Sequence, residues 1–154
     1  LLRPLIAALR TLRRRTQSRV ALVGHSRGGV LAKVIAHRHP ELVEQVIALG
    51  SPLNDPFDVH PLTMAGVRAA NLYNVFRFGH AASVEMRFLR DLAAPPRVPT
   101  TSIYSRSDGV VSWRACLRPD VNGIEVKGSH VGLALNPEVY RILAQLLPAP
   151  WRHV

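Results

Sequence analysis

One stretch constrains the fold of this chain more than any other: Val20-Ala21-Leu22-Val23-Gly24-His25-Ser26-Arg27-Gly28-Gly29. A β-branched apolar run stops at a glycine, one serine intervenes, and Val30, Leu31, Val34 and Ile35 begin a helical repeat at once. That order fits a strand, a sharp turn and a helix, with the serine at the apex. Ser26 is therefore the candidate nucleophile. Gly24 and Gly28, two residues either side, are expected to keep Cβ atoms apart where strand and helix cross. The first N–H groups of the helix lie beside the Ser26 oxygen, and the backbone N–H of Arg27 is placed to stabilise a developing oxyanion. The competing reading is an ordinary Gly-Ser turn, and the strand before and helix after weigh against it.

The surrounding chain supplies the sheet. Leu2, Leu5, Ile6, Leu9 and Leu12 recur at three and four residues, with Arg3, Arg10, Arg13 and Arg14 largely opposite, so residues 1–15 read as an amphipathic helix. Arg3 and Arg10 also break the apolar run too early for a membrane span or a signal-peptide core. The helix after Ser26 runs to about His37 and ends before Pro40. Val43 to Leu49 is the next strand, which makes a βαβ unit with parallel strands. Gly50-Ser51-Pro52 closes it; Ser51 is a second serine after a strand, but with no helix following it reads as a turn.

Residues 53–99 have a different texture. Asn54-Asp55-Pro56 and His60-Pro61 mark loop, helical stretches fall around Leu62 to Val75 and Ser83 to Leu92, and Pro95-Pro96-Arg97-Val98-Pro99 ends the segment. An insertion rich in Phe57, Tyr73, Phe76, Phe78, Phe88, Met64 and Met86 suits an apolar lid; the same residues would also make the insertion's own small core. Thr101 to Tyr104 and Ile124 to Val126 are the remaining strands, and Asn136 caps a last helix that starts at Pro137 and stops at Pro148. The fold class is α/β, a three-layer α/β/α arrangement on a mostly parallel sheet.

Ser26, Asp108 and His130 follow in the order nucleophile, acid, base, each just past the C-terminal end of an expected strand. A serine hydroxyl is a weak nucleophile alone, so a histidine must take its proton and a carboxylate must hold the imidazole. His130 is preferred to His25, which neighbours the serine and is expected to point elsewhere, and to His37, His39, His60, His80 and His153. Asp108 is preferred to Asp120 and to the insertion's Asp55, Asp58 and Asp91.

The motifs Gly24-His25-Ser26-Arg27-Gly28-Gly29, Ser107-Asp108-Gly109-Val110-Val111 and Gly128-Ser129-His130 resemble those of the α/β-hydrolase superfamily, lipase or esterase type. The resemblance implies a partial α/β-hydrolase domain over residues 1–154 with a helical lid insertion at about 53–99. It also implies a Ser26-His130-Asp108 triad that cleaves carboxylic esters through an acyl-enzyme, with no cofactor and no metal. The implied partner is a lipophilic small-molecule ester, and a lipid or membrane surface stays open. Domains of this type carry several strands before the elbow strand and a second oxyanion donor in a loop there; here only the leading helix precedes Val20. The chain is thus expected to be the C-terminal part of a longer domain. A noncatalytic binding module on the same fold is the alternative.

Composition narrows the rest. The chain has 154 residues, 47% of them hydrophobic and 19% charged, enough for one domain with a sizeable core. One cysteine, Cys116, excludes an internal disulfide and reads as a buried thiol. Net charge is +10, from 20 Lys and Arg against 10 Asp and Glu. The arginines are scattered apart from Arg13-Arg14-Arg15, and no nucleic-acid motif accompanies them, so nucleic acid is not an expected partner. Compartment is left open.

Overall fold

The computed structural model describes residues 2–54 and 82–147. Four parallel strands lie side by side in chain order: β1 (Val20–His25), β2 (Val43–Leu49), β3 (Thr100–Tyr104) and β4 (Asn122–Glu125). Helix α1 (Leu2–Thr16) leads in, α2 (Arg27–Arg38) joins β1 to β2, and α3 (Ala82–Ala93) precedes β3. A short helix α4 (Trp113–Cys116) leaves the β3 end, and a 3₁₀ turn (Val131–Leu135) leads to α5 (Pro137–Leu146). The α/β class and parallel sheet agree with the sequence reading. Differences lie at the margins: β1 continues through Gly24 and His25, β4 begins at Asn122, and α4 and the 3₁₀ turn carry too few residues to show a period.

Two apolar clusters on opposite sides of β2 explain the layering. Val43 and Val46 pack with Ala32, Ile35 and Ala36 of α2 and Leu9 of α1, while Ile47 and Leu49 pack with Ile103, Leu133 and Val139 toward α5. Strand side chains alternate between faces, so a strand buried on both sides needs an almost continuous apolar run, which Val43 to Leu49 approaches. Ile47 is completely buried, and truncating it to alanine should cost about 2–5 kcal/mol. Asn136 caps α5 as expected, its side-chain oxygen accepting from the Glu138 N–H at 2.8 Å. Cys116 is buried beside Tyr104, Val111 and Ala115.

Among the described residues β1 pairs only with β2, and no described strand lies on its other side. A groove of about 290 Å³ runs along it, lined by Leu5, Leu9, Leu22, Val23, Leu31 and Ile35 among others. Val23 is 45% exposed there. An uncovered apolar strand edge is a site for association.

The end of α3 is held by cations. Lys33 of α2, only 2% exposed, donates to the main-chain oxygens of Leu92 and Ala94, and Arg118 donates to that of Ala93 at 3.1 Å. Three successive carbonyls that a helix end leaves without intrahelical partners thus each receive a charged donor. Arg38 adds an ion pair to Asp91 at 2.6 Å. Of the insertion's aromatic residues, Phe88 packs against Val30, Val34 and Leu92 of the core, and Met86 is exposed. Phe57, Tyr73, Phe76, Phe78 and Met64, together with the helix expected at Leu62 to Val75, lie outside the described residues.

Burial, and next the charge of Arg118, push the Lys33 ammonium down from 10.5 to about 8. Between those two values the unfolded chain holds a proton on Lys33 that the folded chain has shed, so stability rises with pH across that window. Chemical denaturation from pH 8 to 10.5 should show a gain on the order of 3 kcal/mol in the wild type. Lys33→Met should be less stable at every pH and should lack that gain; a variant with the same slope would remove Lys33 as its source.

Candidate active site

The strand register aligns four chain ends at one edge of the sheet. His25 is opposite Leu49, Leu49 opposite Ile103, and Tyr104 opposite Glu125, so the residues that follow each strand emerge together. Ser26 follows β1, Gly50 follows β2, Asp108 lies in the loop after β3, and His130 in the loop after β4. Chain segments about a hundred residues apart are thereby brought within bonding distance.

Ser26 sits in a conformation L-residues avoid, with φ at 54° and ψ at −123°. Such backbone costs on the order of 1–3 kcal/mol and persists only where the surroundings enforce it. Here the Ser26 N–H donates to the Leu49 oxygen at 2.8 Å, and the Ser26 oxygen accepts from the Gly29 N–H at 3.1 Å. The hydroxyl does not cap the helix, which leaves it to the cleft.

The glycines that permit the turn are Gly24 and Gly29. A Cβ on Gly24 would lie 2.4 Å from the Gly28 carbonyl carbon, and one on Gly29 would lie 2.2 Å from Ser51 Oγ and 2.9 Å from Ala48 Cβ. Among the described residues, a Cβ on Gly28 would have nothing within 4 Å. The expectation that Gly28 spares a Cβ collision is therefore corrected: its backbone is what Gly24 approaches, and its own missing side chain faces open space. Arg27, as the first residue of α2, has an N–H without an intrahelical acceptor beside the Ser26 hydroxyl.

Ser26, His130 and Asp108 form a continuous chain of hydrogen bonds. Asp108 Oδ2 lies 2.8 Å from His130 Nδ1, and His130 Nε2 lies 2.9 Å from Ser26 Oγ. A carboxylate only accepts, so the imidazole proton is assigned to Nδ1, and Nε2 receives the serine hydroxyl. The other Asp108 oxygen accepts from the N–H groups of Val110 at 2.9 Å and Val111 at 2.7 Å, which fixes the carboxylate plane. Asp108 and His130 are 5% and 8% exposed. Low local dielectric strengthens each of these bonds.

The competing residues are engaged elsewhere. Asp120 pairs with Arg118 through two bonds of 2.8 and 2.9 Å, and that pairing holds its carboxyl below the usual range. Asp91 is bound to Arg38. Ser51 is fully buried and donates to the Leu49 oxygen at 3.1 Å, consistent with a turn. Asp55, Asp58, His60, His80 and His153 lie outside the described residues. Among the described residues no group of three His, Cys, Asp or Glu side chains is placed to hold a metal ion.

Two features of the site were not legible in the sequence. His25 does not point away: its ring packs against that of His130 with centroids 4.7 Å apart, and its Nε2 lies 2.8 Å from the His130 oxygen. Gly50, read only as the end of a strand, has φ at 51°, and a Cβ there would lie 2.8 Å from Leu133 Cδ1, 3.0 Å from Asp108 Oδ2 and 3.3 Å from His130 Nδ1. Leu133 and the Asp108–His130 pair thus occupy space that any other residue at position 50 would claim.

With this geometry in place, known proteins give the class. The family model of the PGAP1-like alpha/beta domain matches residues 2–75. The mature lipase BlEst2 of Bacillus licheniformis superposes with a TM-score of 0.67 at 17% identity, covering 92% of this chain and 71% of that one. An esterase domain from a Rhodothermus marinus protein gives 0.63 at 22% identity, over 95% of this chain and 65% of that one. The mouse alpha/beta hydrolase domain-containing protein 10 gives 0.51 at 19% identity, over 84% and 60%. No curated protein matches the sequence. These identities speak to fold, and the chain spans 60 to 71% of these three structures. The chain has the fold of the α/β hydrolases among these structures, and residues 2–75 match the PGAP1-like alpha/beta domain.

The crowding at position 50 has a direct test. Gly50 and Gly109 both have positive φ, at 51° and 74°, but among the described residues only a Cβ on Gly50 meets other atoms. Gly109→Ala should cost about 1–2 kcal/mol from backbone strain, and Gly50→Ala about 1–3 kcal/mol more from overpacking. Urea midpoints at constant m-value compare them; equal losses would show that Leu133 and the Asp108–His130 pair do not depend on the space at Gly50.

Proposed function

We propose that this chain carries the nucleophile, base and acid of a serine hydrolase that cleaves carboxylic esters. The observation that carries the reading is the chain of hydrogen bonds from Ser26 through His130 to Asp108, at 2.9 and 2.8 Å, beginning on a strained turn. In this reading Ser26 Oγ attacks the ester carbonyl while His130 Nε2 takes its proton, and Asp108 holds the imidazole in the tautomer that leaves Nε2 free to do so. The Arg27 N–H and the dipole of α2 stabilise the oxyanion. His130 then passes the proton to the leaving alcohol. Water, activated by the same imidazole, releases the acid from the acyl-enzyme.

The substrate proposed is a small lipophilic ester, a choice supported by the likeness to a lipase and to an esterase domain and by the apolar residues of the 53–99 insertion, which we assign to a lid. The domain proposed is a partial α/β-hydrolase domain, a reading supported by the 60 to 71% of the three neighbouring structures that the chain spans. No described helix is long and apolar enough to cross a membrane. A noncatalytic binding module is the second reading, favoured by the apolar groove along the side of β1 that no described strand covers.

Turnover of p-nitrophenyl esters by the full-length protein tests the roles. Ser26→Ala and His130→Ala should abolish measurable turnover, and Asp108→Asn should lower kcat by about 10⁴-fold. Asp120→Asn should be nearly silent. A fluorophosphonate probe should label the folded protein stoichiometrically at Ser26. Absence of labelling and of turnover would establish the binding-module reading, and equal turnover by wild type and Ser26→Ala would remove Ser26 from the mechanism.

A further inference from the structure

His25 lies against the base and has no part in the chemistry derived above. As the last residue of β1 it projects to the face of the sheet opposite Gly24, since strand side chains alternate. Gly24 faces α2, which its Cβ would strike, so His25 faces the loop that carries His130. Its ring is tilted 42° to that of His130 at a centroid separation of 4.7 Å. The carbonyl of His130 can only accept, so the contact at 2.8 Å is a bond donated by the His25 Nε2–H.

We infer that His25 is a positioning residue, whose Nε2–H fixes the main chain of His130 so that the imidazole bridges Ser26 and Asp108. Four bonds hold residue 130. Its N–H donates to the Asp108 oxygen at 3.0 Å, its oxygen accepts from His25, and its two ring nitrogens engage Asp108 and Ser26. Three of these tie His130 to the β3 loop or to the serine it serves. The bond from His25 alone ties its backbone to the β1 strand that ends in the nucleophile, so it sets the separation of base and nucleophile from the side of the scaffold. Both neighbours of His130, Ser129 and Val131, are exposed, so residue 130 itself is placed by its hydrogen bonds. A displacement near 1 Å at a reacting group lowers turnover by about 10²-fold.

The inference rests on the hydrolase reading, and the experiment separates the two. His25→Phe keeps a ring against His130 and removes the donor; His25→Gln removes the ring and places an amide N–H at a similar reach. In the full-length protein, His25→Phe should lower kcat for p-nitrophenyl butyrate by about 10²-fold with KM within threefold of wild type. His25→Gln should restore kcat to within about fivefold. The proton of His130 Nδ1 provides a second readout, independent of turnover: its downfield NMR signal should persist in wild type and His25→Gln and be lost or broadened in His25→Phe. If His25→Phe instead keeps both kcat and the signal while His25→Gln loses them, ring packing is the cause and the donor role is overturned. Should His25→Phe fail to fold, a 10²-fold loss in a folded His25→Gln overturns it equally. Unchanged turnover in Ser26→Ala or His130→Ala would count against the hydrolase reading, and the NMR signal would still decide the role of His25.

Discussion

The close crossing of β1 and α2 is the contact on which the rest of the site depends. A Cβ on Gly24 would be 2.4 Å from the Gly28 backbone, so the helix begins almost against the strand it leaves, and the single residue between them is forced to positive φ. Several features enforce that strained turn at once. The Ser26 N–H is bound to the end of β2, α2 buries Val34 and Ile35, and Gly29 sits on Ala48 and Ser51 without a side chain of its own. Because apolar burial contributes about 1.5–3 kcal/mol per large side chain, the packing of α2 outweighs a local strain of about 1–3 kcal/mol. The same strain lifts the hydroxyl out of the helix and toward His130.

Parallel pairing then does for the whole site what the turn does for one residue. All four strands end at one edge, so Asp108 and His130 need no long excursion to reach Ser26. The sheet and the site share supports: Leu133, fully buried in the cluster formed with Ile47 and Ile103, lies three residues after His130 and donates its N–H to the Ser129 oxygen. The 3₁₀ turn thereby anchors the His130 loop in the core. Its position is thus set by burial at one end and by hydrogen bonds at the other.

Residue order and local pattern carried much of this into the sequence. The strand, glycine, serine and helical repeat of Val20 to Ile35 are contiguous, so the turn at Ser26 could be read directly. Asp108 and His130 could be placed because each follows a short strand, although their bonding required the register of three strand pairs. What escaped is set by distances between segments. Whether Gly28 or Gly29 needs to lack a Cβ depends on how Ser51 packs under α2. Whether His25 points toward or away from the base depends on where a loop 105 residues later comes to rest. Lys33 reads in sequence as an ordinary polar position in a helix; it is buried because α3, from the insertion, ends above it.

The supports of Ser26 are unequally distributed, and this bears on the proposed chemistry. On one side the residue is flanked by β2 and its continuation, where Gly50 is filled against by Asp108, His130 and Leu133. On the other side β1 has no described neighbour, and Val23 and the apolar groove face outward. In the proposed reaction the Arg27 N–H would supply one oxyanion donor from the helix start, but a tetrahedral oxyanion is stabilised most when two donors converge on it. The β2 side is filled by the residues that position the base. In the proposed reaction, a second donor would therefore have to approach from the side of β1 that no described strand covers.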